Sequence, residues 1–266
     1  MTVPVALTIA GSDSSGGAGI QADLKTFAAL GVYGASVITA LTAQNTTGVS
    51  GIHPVPPAFV TAQIDAVFGD LAVEAVKIGM VAQPTVIDAI AAGVTRWSPR
   101  HVVLDPVMIA TSGDRLLAAD AVEALRMKLV PSASLITPNL PEAAALLDEP
   151  LARCEAAIER QGRQLLAMGC RAVLIKGGHG QGSDSIDYLI DPAGTIALSA
   201  PRLATKNTHG TGCSLSSAIA AGLAKGEDLV TAVRHAKTWI SAAIAAADRL
   251  GVGHGHGPIH HFHEFY

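Results

Sequence analysis

The sequence predicts an α/β fold: a mostly parallel central sheet, covered by helices on both faces, with an antiparallel edge. Three observations lead to this prediction. Short β-branched runs alternate with longer helical patterns along almost all of the 266 residues, which is typical of a parallel sheet between helical layers. Hydrophobic residues make up 49% of the chain but aromatic residues only 4%, so aliphatic side chains build the interior. Finally, the turn Asp191-Pro192-Ala193-Gly194 joins two short strands as a hairpin.

The elements follow from the period of the hydrophobic pattern. Strands are expected, in chain order, at 5–10, 35–41, 75–78, 101–104, 134–136, 172–175, 186–190 and 195–198. Helices are expected at 17–30, 57–69, 84–95, 118–129, 141–148, 152–168, 212–224 and 228–250. Because no linker, composition shift or repeat interrupts this order, we expect one domain over residues 1–266.

Composition excludes several classes of protein. The net charge of −4 and the absence of a Lys/Arg cluster give no reason to expect a nucleic-acid partner. The first residues lack the basic region of a signal peptide, and no stretch is apolar enough to span a bilayer. Cys154, Cys170 and Cys213 form no C-x-x-C pair. This odd number of cysteines fits a reducing cytosol, so we expect a cytoplasmic protein.

Polar or glycine residues repeatedly follow the apolar strands. Such residues stand at 11–13, 42–45, 79–80, 105–106, 138–139 and 176–178. Every loop needs turn residues, and for a single loop that explanation is sufficient. The set, however, includes Gln44, Asp105, Asn139 and Lys176. Ligands of open α/β sheets bind at the carboxyl ends of the strands, so the set predicts a site at that edge.

Glycine-rich segments invite a nucleotide interpretation, but the familiar motifs do not match. The chain contains no G-x-x-x-x-G-K-[ST] motif, which argues against a P-loop. GSDSSGGAG at 11–19 follows a strand and precedes a helix, but it is out of register with G-x-G-x-x-G. We expect its glycines to let the backbone approach a small ligand.

The stretch NTHGTGCSLSSAIAAGL at 207–223 leads from a glycine pair into a helix. Gly210 and Gly212 flank Thr211, and Cys213 follows at once. A helix that starts there presents free N–H groups and a positive dipole end, which together suit a transferring phosphoryl group. Cys213 stands where a hydroxyl nucleophile needs a proton acceptor, and we expect the helix N-terminus to lower the pKa of its thiol. The alternative is a small cysteine that merely packs at a helix start.

Several blocks together resemble a known family. They are AGSDSSGGAGIQADLKTF at 10–27, TALTAQNTTGV at 39–49, KIGM at 77–80, LDPVM at 104–108, TPNLPEA at 137–143, IKGGH at 175–179, NTHGTGCSLSSAIAA at 207–221 and GHGHGPIHHF at 253–262. With these blocks in this order, the chain resembles members of the ribokinase-like superfamily and, within it, the hydroxymethylpyrimidine/phosphomethylpyrimidine kinases of thiamine biosynthesis. The resemblance implies a three-layer sandwich and ATP-dependent phosphorylation of 4-amino-5-hydroxymethyl-2-methylpyrimidine and then of its monophosphate.

The resemblance also implies roles for individual residues. It places the pyrimidine against Gln44, whose amide both donates and accepts hydrogen bonds. Other residues are expected to line that pocket: Gly11, Asp23, Met80 and Val107. The catalytic group would comprise Cys213 and an anion hole at Gly210, Thr211 and Gly212. ATP would contact Asn139, Lys176 and Thr208, and Mg²⁺ would be held, partly through water, by Asp105 and Glu142. Most superfamily sugar kinases carry an aspartate in place of Cys213, whereas cysteine is usual in the pyrimidine branch.

Two alternative functions remain open, and so does the role of the C-terminal segment. A pyridoxal or pyridoxine kinase would also take a planar N-heterocycle with a hydroxymethyl arm. A non-catalytic pyrimidine sensor on the same fold would not need an anion hole. The C-terminal GHGHGPIHHFHEF at 253–265 could bind a metal, but its match to the family's own terminus favours a structural segment. Relatives of this kind indicate a homodimer.

Overall fold

A computed structural model describes residues 3–108, 119–179 and 182–266 of the chain. The strands are β1 (Val5–Ala10), β2 (Tyr33–Ile38), β3 (Ala40–Asn45), β4 (Gly48–Pro54), β5 (Val73–Ile78), β6 (His101–Leu104), β7 (Leu135–Ile136), β8 (Val173–Ile175), β9 (Asp184–Asp191) and β10 (Gly194–Pro201). The helices are α1 (Gly19–Ala29), α2 (Pro57–Phe68), α3 (Pro84–Trp97), α4 (Ala119–Ala124), α5 (Leu140–Leu147), α6 (Glu155–Leu166), α7 (Thr211–Ala224) and α8 (Leu229–Ala245).

The central sheet confirms the predicted fold class. Its strand order is β10-β9-β8-β7-β6-β5-β1-β2. Adjacent strands in the series β2, β1, β5, β6, β7 and β8 run parallel, whereas β9 is antiparallel to both β8 and β10. The hairpin across 191–194 therefore forms the predicted antiparallel edge. Because β1 pairs with β2 on one side and β5 on the other, the strand order reverses at β1, and the crevice at such a reversal is where α/β sheets bind ligands.

Two apolar cores hold helices against the two faces of the sheet. On one face α1, α7 and α8 pack through buried side chains that include Phe27, Ile219 and Trp239. On the other face α2 to α6 pack through residues such as Ile64, Ile90 and Leu165. The chain thus forms three layers, as the resemblance implied. The predicted helix at 118–129 begins with a residue outside the described ranges, and from 125 to 129 it continues as a π-helical turn. No helix in the described ranges has both the length and the apolarity that a membrane crossing requires.

A two-stranded antiparallel sheet outside the central one was missed by the sequence reasoning. The predicted strand at 35–41 is in fact two strands, β2 and β3, and the predicted loop at 42–45 belongs to β3, which pairs with β4. The missing signal is burial, because the residues of β4 are mostly exposed and show no apolar alternation. We call residues 40–54 the flap. It carries Gln44 and lies beside the carboxyl ends of β1 and β5.

Candidate active site

A cavity of about 1190 Å³ opens at the carboxyl edge of the sheet, where the sequence predicted the site. The ends of β1, β5 and β6, the loops before α5 and α7, and the flap all contribute to its wall. The fold therefore brings together every site residue expected from the sequence except Asp23: Gly11, Gln44, Met80, Asp105, Val107, Asn139, Glu142, Lys176, Thr208, Gly210, Thr211, Gly212 and Cys213.

Gly11, Met80 and Gln44 form one end of the cavity. The backbone N–H of Gly79 donates to the carbonyl of Ile9, which sets the ends of β1 and β5 side by side. A Cβ on Gly11 would lie only 2.5 Å from Cε of Met80, so a larger residue there would displace the end of the Met80 side chain. The hydroxyl of Thr42 shares its one proton between the Ser12 carbonyl at 2.8 Å and Oε1 of Gln44 at 3.1 Å, and so restrains the Gln44 amide. This end presents apolar surface and one amide edge, which suits a planar heterocycle.

Asp23 does not line the cavity, contrary to the expectation from the resemblance. Its carboxylate is fully buried and accepts two hydrogen bonds of 2.9 Å from Nζ of Lys77. The hydroxyls of Thr8 and Ser217 each donate to it over 2.6 Å. Lys77 reaches the cavity wall instead. Burial alone would lower the pKa of Lys77, but the charge of Asp23, its hydrogen bond and the nearby acidic groups together outweigh burial and raise that pKa, so the buried ammonium stays charged.

The first glycine of the pair before α7, Gly210, is required by the shape of the backbone. Its φ is +80°, a left-handed conformation that favours glycine. A Cβ on Gly210 would overlap the carbonyl oxygen of Gly17, so the close neighbour is a second backbone loop rather than a ligand. At Gly212 the situation differs, because a Cβ there would point toward Nζ of Lys176 at 3.2 Å. Gly212 therefore borders the space in which an anion would lie.

The first turn of α7 offers unpaired backbone donors. Thr211 donates both its N–H and its hydroxyl to the carbonyl of Thr208. Gly210 caps the helix without a side-chain hydrogen bond, and no described residue accepts the N–H of Gly212 or Cys213. These two N–H groups and the helix dipole form an anion site.

Cys213 does not have the lowered pKa that its position at the helix start led us to expect. The charge of Lys77 favours the thiolate, and the backbone N–H of Gly19 does so to a smaller extent. Burial outweighs both and raises the pKa of the thiol to about 11. The sequence could not show this because the residues that bury the thiol are distant along the chain. At neutral pH Cys213 is therefore a neutral thiol.

Asp105, Glu142 and Lys176 form the charged part of the cavity. Nζ of Lys176 lies 2.7 Å from Oδ1 of Asp105 and 3.9 Å from Oε2 of Glu142. The other carboxylate oxygen of Asp105, Oδ2, is buried and has no hydrogen-bond partner among the described residues. Carboxylate oxygens are the donors that Mg²⁺ prefers, and it commonly binds one or two of them together with phosphates. The residues present therefore fit a magnesium ion.

Asn139 and Glu142 form a reciprocal cap at the start of α5. Oδ1 of Asn139 accepts the N–H of Glu142, and Oε2 of Glu142 accepts the N–H of Asn139, each over 2.8 Å. Burial raises the pKa of Glu142 to about 7, with Lys176 opposing and Asp105 reinforcing the rise. A cap alone does not require a carboxylate that faces both a lysine and a cavity, so the geometry leaves Glu142 available for a second role beside capping.

The sequence reasoning missed a buried hydrogen-bonded pair that joins the two glycine-rich loops. Nε2 of His209 lies 2.7 Å from Oδ2 of Asp13, and both side chains are buried. Burial alone would raise the pKa of Asp13, but the hydrogen bonds from His209 and Ser15 outweigh it and lower that pKa. The two residues are 196 positions apart, so no local pattern could reveal the pair.

The end of the cavity away from Gln44 was also absent from the sequence reasoning. It is lined by Leu215, Ile240 and Ile244 from α7 and α8. Nζ of Lys237 lies 2.7 Å from Oδ2 of Asp187 at its edge. The helical patterns at 212–224 and 228–250 contained the three apolar residues, but periodicity does not distinguish a core side chain from one at a cavity wall.

Comparison with known proteins identifies the family of the chain. A family model described as phosphomethylpyrimidine kinase matches residues 13–260. Over 261 residues the chain is 58% identical to the hydroxymethylpyrimidine/phosphomethylpyrimidine kinase of Salmonella typhimurium, and the alignment covers 98% of each chain. The crystal structure of phosphomethylpyrimidine kinase from Clostridium difficile 630 has a TM-score of 0.81 and 44% identity, covering 91% of this chain and 100% of that one.

A pyridoxal kinase is also similar, at lower identity. The Staphylococcus aureus enzyme in complex with pyridoxal has a TM-score of 0.90 and 29% identity, covering 100% of this chain and 96% of that one. The Staphylococcus aureus enzyme shares the fold of this chain, whereas the two relatives of higher identity named above are pyrimidine kinases. The chain therefore belongs to the phosphomethylpyrimidine kinase family and is a phosphotransferase with the ribokinase-like fold.

Proposed function

We propose that this protein transfers the γ-phosphoryl group of ATP to 4-amino-5-hydroxymethyl-2-methylpyrimidine, and a second phosphoryl group to the monophosphate, in thiamine biosynthesis. One observation carries the proposal. The free N–H groups of Gly212 and Cys213 lie in the same cavity as the amide of Gln44 and the ammonium of Lys176. A ring site, an anion site and a phosphate-side cation therefore open into one space.

Gln44 and the apolar end of the cavity would bind the pyrimidine. An amide held by Thr42 can read the ring edge, and Gly11 and Met80 provide a surface against which the ring lies. Val107 also lines the cavity wall. Asp23 would act from behind this wall, because its carboxylate holds the Lys77 ammonium in place.

The chain's main contribution to the reaction would be charge stabilisation. Phosphoryl transfer passes through a loose transition state, so positioning and charge contribute more than a strong base. The N–H groups at the start of α7 and the ammonium of Lys176 would stabilise the charge on the transferring group. Asn139 and Thr208 would help to hold the remaining phosphates of ATP, whose adenine would lie at the apolar end formed by Leu215 and Ile240.

Cys213 would orient the hydroxymethyl group through its thiol, and only the minor fraction present as thiolate would accept the hydroxymethyl proton, late in the transfer. A thiol with a pKa of about 11 is not a preformed base at neutral pH. The alcohol of the substrate becomes acidic only as its oxygen bonds to phosphorus, and a loose transition state delays that point. The phosphate oxygen of the monophosphate is already ionised, so the second transfer would not need this proton acceptor.

Asp105 and Glu142 would hold Mg²⁺, partly through water. When bound, the ion neutralises charge on the phosphates of ATP. The unpartnered Oδ2 of Asp105 supports this role, because a buried carboxylate oxygen without a partner is costly. Lys176, which bonds the other oxygen of Asp105, would keep that carboxylate in place.

Three broader features belong to the same proposal. We propose one catalytic domain over residues 1–266, supported by the continuous eight-stranded sheet. Exposed apolar side chains on the flap and α2, such as Ile52 and Phe59, support a homodimer. The free thiols Cys154, Cys170 and Cys213 support a cytoplasmic location.

A coupled assay of ADP formation with each acceptor tests the substrate. The purified protein, ATP and Mg²⁺ are mixed with hydroxymethylpyrimidine, with its monophosphate, or with pyridoxal. We expect kcat/KM to be highest with the two pyrimidines. Turnover of pyridoxal alone would replace the proposal with the pyridoxal kinase alternative, and binding without turnover of any acceptor would favour a sensor.

A further inference from the structure

His209, the residue before Gly210, contacts two segments that are distant from it in sequence. Its Nε2 pairs with Asp13, its N–H donates to the carbonyl of Gly257 over 3.0 Å, and its carbonyl accepts the N–H of Ile259 over 3.4 Å. The anion site therefore begins at a residue that is held by both the loop after β1 and the C-terminal segment.

The loop after β1 links His209 to the residue that reads the ring. The Asp13 carboxylate accepts the N–H groups of Ser15, Gly17 and Ala18 and so fixes the shape of this loop. Ser14 follows Asp13, and its hydroxyl donates to the carbonyl of Gln44 over 2.8 Å and accepts the Gln44 N–H over 2.9 Å. Hydrogen bonds of Asp13 and of the adjacent Ser14 thus connect His209 to the backbone of Gln44.

The C-terminal segment makes a second connection between the same two places. The N–H groups of Gly255 and His256 donate to the Thr46 hydroxyl, over 3.2 Å, and to the Thr46 carbonyl, over 3.0 Å. Thr46 lies at the tip of the flap, two residues after Gln44. A Cβ on Gly255 would overlap the Thr46 carbonyl, so only glycine permits this approach. The glycine–histidine pattern that could indicate a metal site is explained here by close backbone contact.

We propose that residues 253–259 are a strap that holds the flap at a fixed distance from the loop carrying Gly210–Gly212, with His209 as the positioning residue where strap and loop meet. The strap thereby sets the distance between the acceptor hydroxyl and the transferring phosphoryl group. Reacting atoms must lie about 3–3.5 Å apart, and a misplacement of about 1 Å can cost about 100-fold in rate. This role rests on the proposed function, because it assumes that the ligand at Gln44 is the acceptor.

The test compares Gly255→Ala with Gly194→Ala as its matched control. Gly194 has no atom near its missing Cβ, so the same substitution there meets open space. We expect Gly255→Ala to raise the KM for hydroxymethylpyrimidine and to lower kcat, with a loss in kcat/KM of about tenfold or more, while the KM for ATP stays within about twofold. Thr46→Val, which removes only the hydroxyl acceptor, should shift the same constants in the same direction by less.

His209 supplies the second arm of the test. His209→Ala should reduce kcat/KM for the pyrimidine, and His209→Gln, which keeps a donor for Asp13, should recover part of the loss. The strap is contradicted if Gly255→Ala and His209→Ala lower only the melting temperature and leave kcat and both KM values unchanged below it.

Hydrogen exchange separates the strap from the proposed substrate. In Gly255→Ala, amides of both the flap and residues 207–213 should exchange faster than in Gly194→Ala, without any ligand present. Faster exchange confined to the C-terminal segment would overturn the strap. A wild-type protein that does not phosphorylate the pyrimidine would overturn the proposed function, and the exchange result would still decide the strap.

Discussion

Nζ of Lys176 lies 2.7 Å from Oδ1 of Asp105, while the second oxygen of that buried carboxylate has no partner in the part of the chain that the structure describes. The lysine neutralises and orients the carboxylate but leaves one oxygen for another cation. Glu142 lies on the other side of the same ammonium, at 3.9 Å. The arrangement therefore combines a fixed positive charge with oxygen donors, which is what binding of magnesium and phosphates requires.

Glu142 should separate capping from magnesium chemistry. Glu142→Gln retains an oxygen that can accept the Asn139 N–H, so the cap survives and the melting temperature should change little. Loss of the negative charge should nevertheless slow turnover and raise the magnesium concentration for half-maximal rate. Glu142→Ala should show the same kinetic defect and also lose about 0.5–2 kcal/mol of stability with the cap.

Magnesium titrations and thermal melts of both variants make the comparison. Normal magnesium dependence in Glu142→Gln would reduce Glu142 to a capping residue.

Gln44→Leu should weaken binding of the ring. Leucine approximates the volume of glutamine but offers no hydrogen bonds, and an unpaired polar group in a buried site costs on the order of 1–3 kcal/mol. We expect the affinity for hydroxymethylpyrimidine to fall at least about tenfold while the affinity for ATP barely changes, as measured by calorimetry. Thr42→Val, which frees the amide without removing it, should give a smaller loss. Pyrimidine affinity equal to the wild type in Gln44→Leu would place the ring elsewhere in the cavity.

The sequence could predict some residues of the cavity but not others. Asp105, Asn139 and Lys176 were predictable because each follows an apolar strand, and parallel strands end at one edge. Gln44 was expected there for the same reason, but it lies within β3 of the antiparallel flap and reaches the cavity from that element. The pair Asp13–His209 was not predictable, since it joins segments 196 positions apart. Only the first part of the flap was predicted as a strand, because β4 is mostly exposed and shows no apolar alternation.

The raised pKa of Cys213 has the same origin. A helix N-terminus can be read from sequence, but the desolvation that outweighs it comes from residues that only the fold brings together.

Alkylation should report the pKa of Cys213 directly. Because the pKa is raised to about 11, the thiol is protonated at pH 7, and the reactive thiolate accumulates only as the pH rises toward 11. The rate of modification by iodoacetamide, followed by peptide mass spectrometry, should therefore still be rising between pH 8.5 and pH 10. The exposed Cys154 provides the internal reference. A rate at Cys213 that levels off by pH 8.5 would mean that the helix N-terminus prevails over burial.

Cys213→Ala should damage the two phosphorylations unequally. The first transfer deprotonates an alcohol, whereas the second begins from an ionised phosphate oxygen. A general acid–base contribution is worth about 10²–10⁴-fold, and a thiol of which only a minor fraction is thiolate at neutral pH should lie near the lower end for the first transfer. The second transfer should lose less, and Cys213→Asp should recover part of the first. Equal losses with the two substrates, measured separately, would leave Cys213 as a positioning residue only.

A phosphorus NMR time course with hydroxymethylpyrimidine, ATP and Mg²⁺ tests most directly whether this one cavity performs both transfers. With the wild type, the monophosphate should appear first and the diphosphate should follow. Gly212→Val adds bulk beside Nζ of Lys176, where a Cβ would already lie at 3.2 Å, and it should stop both products. Gly194→Val, a matched change in open space, should stop neither. Formation of either product by Gly212→Val at the wild-type rate would contradict an anion site at the start of α7.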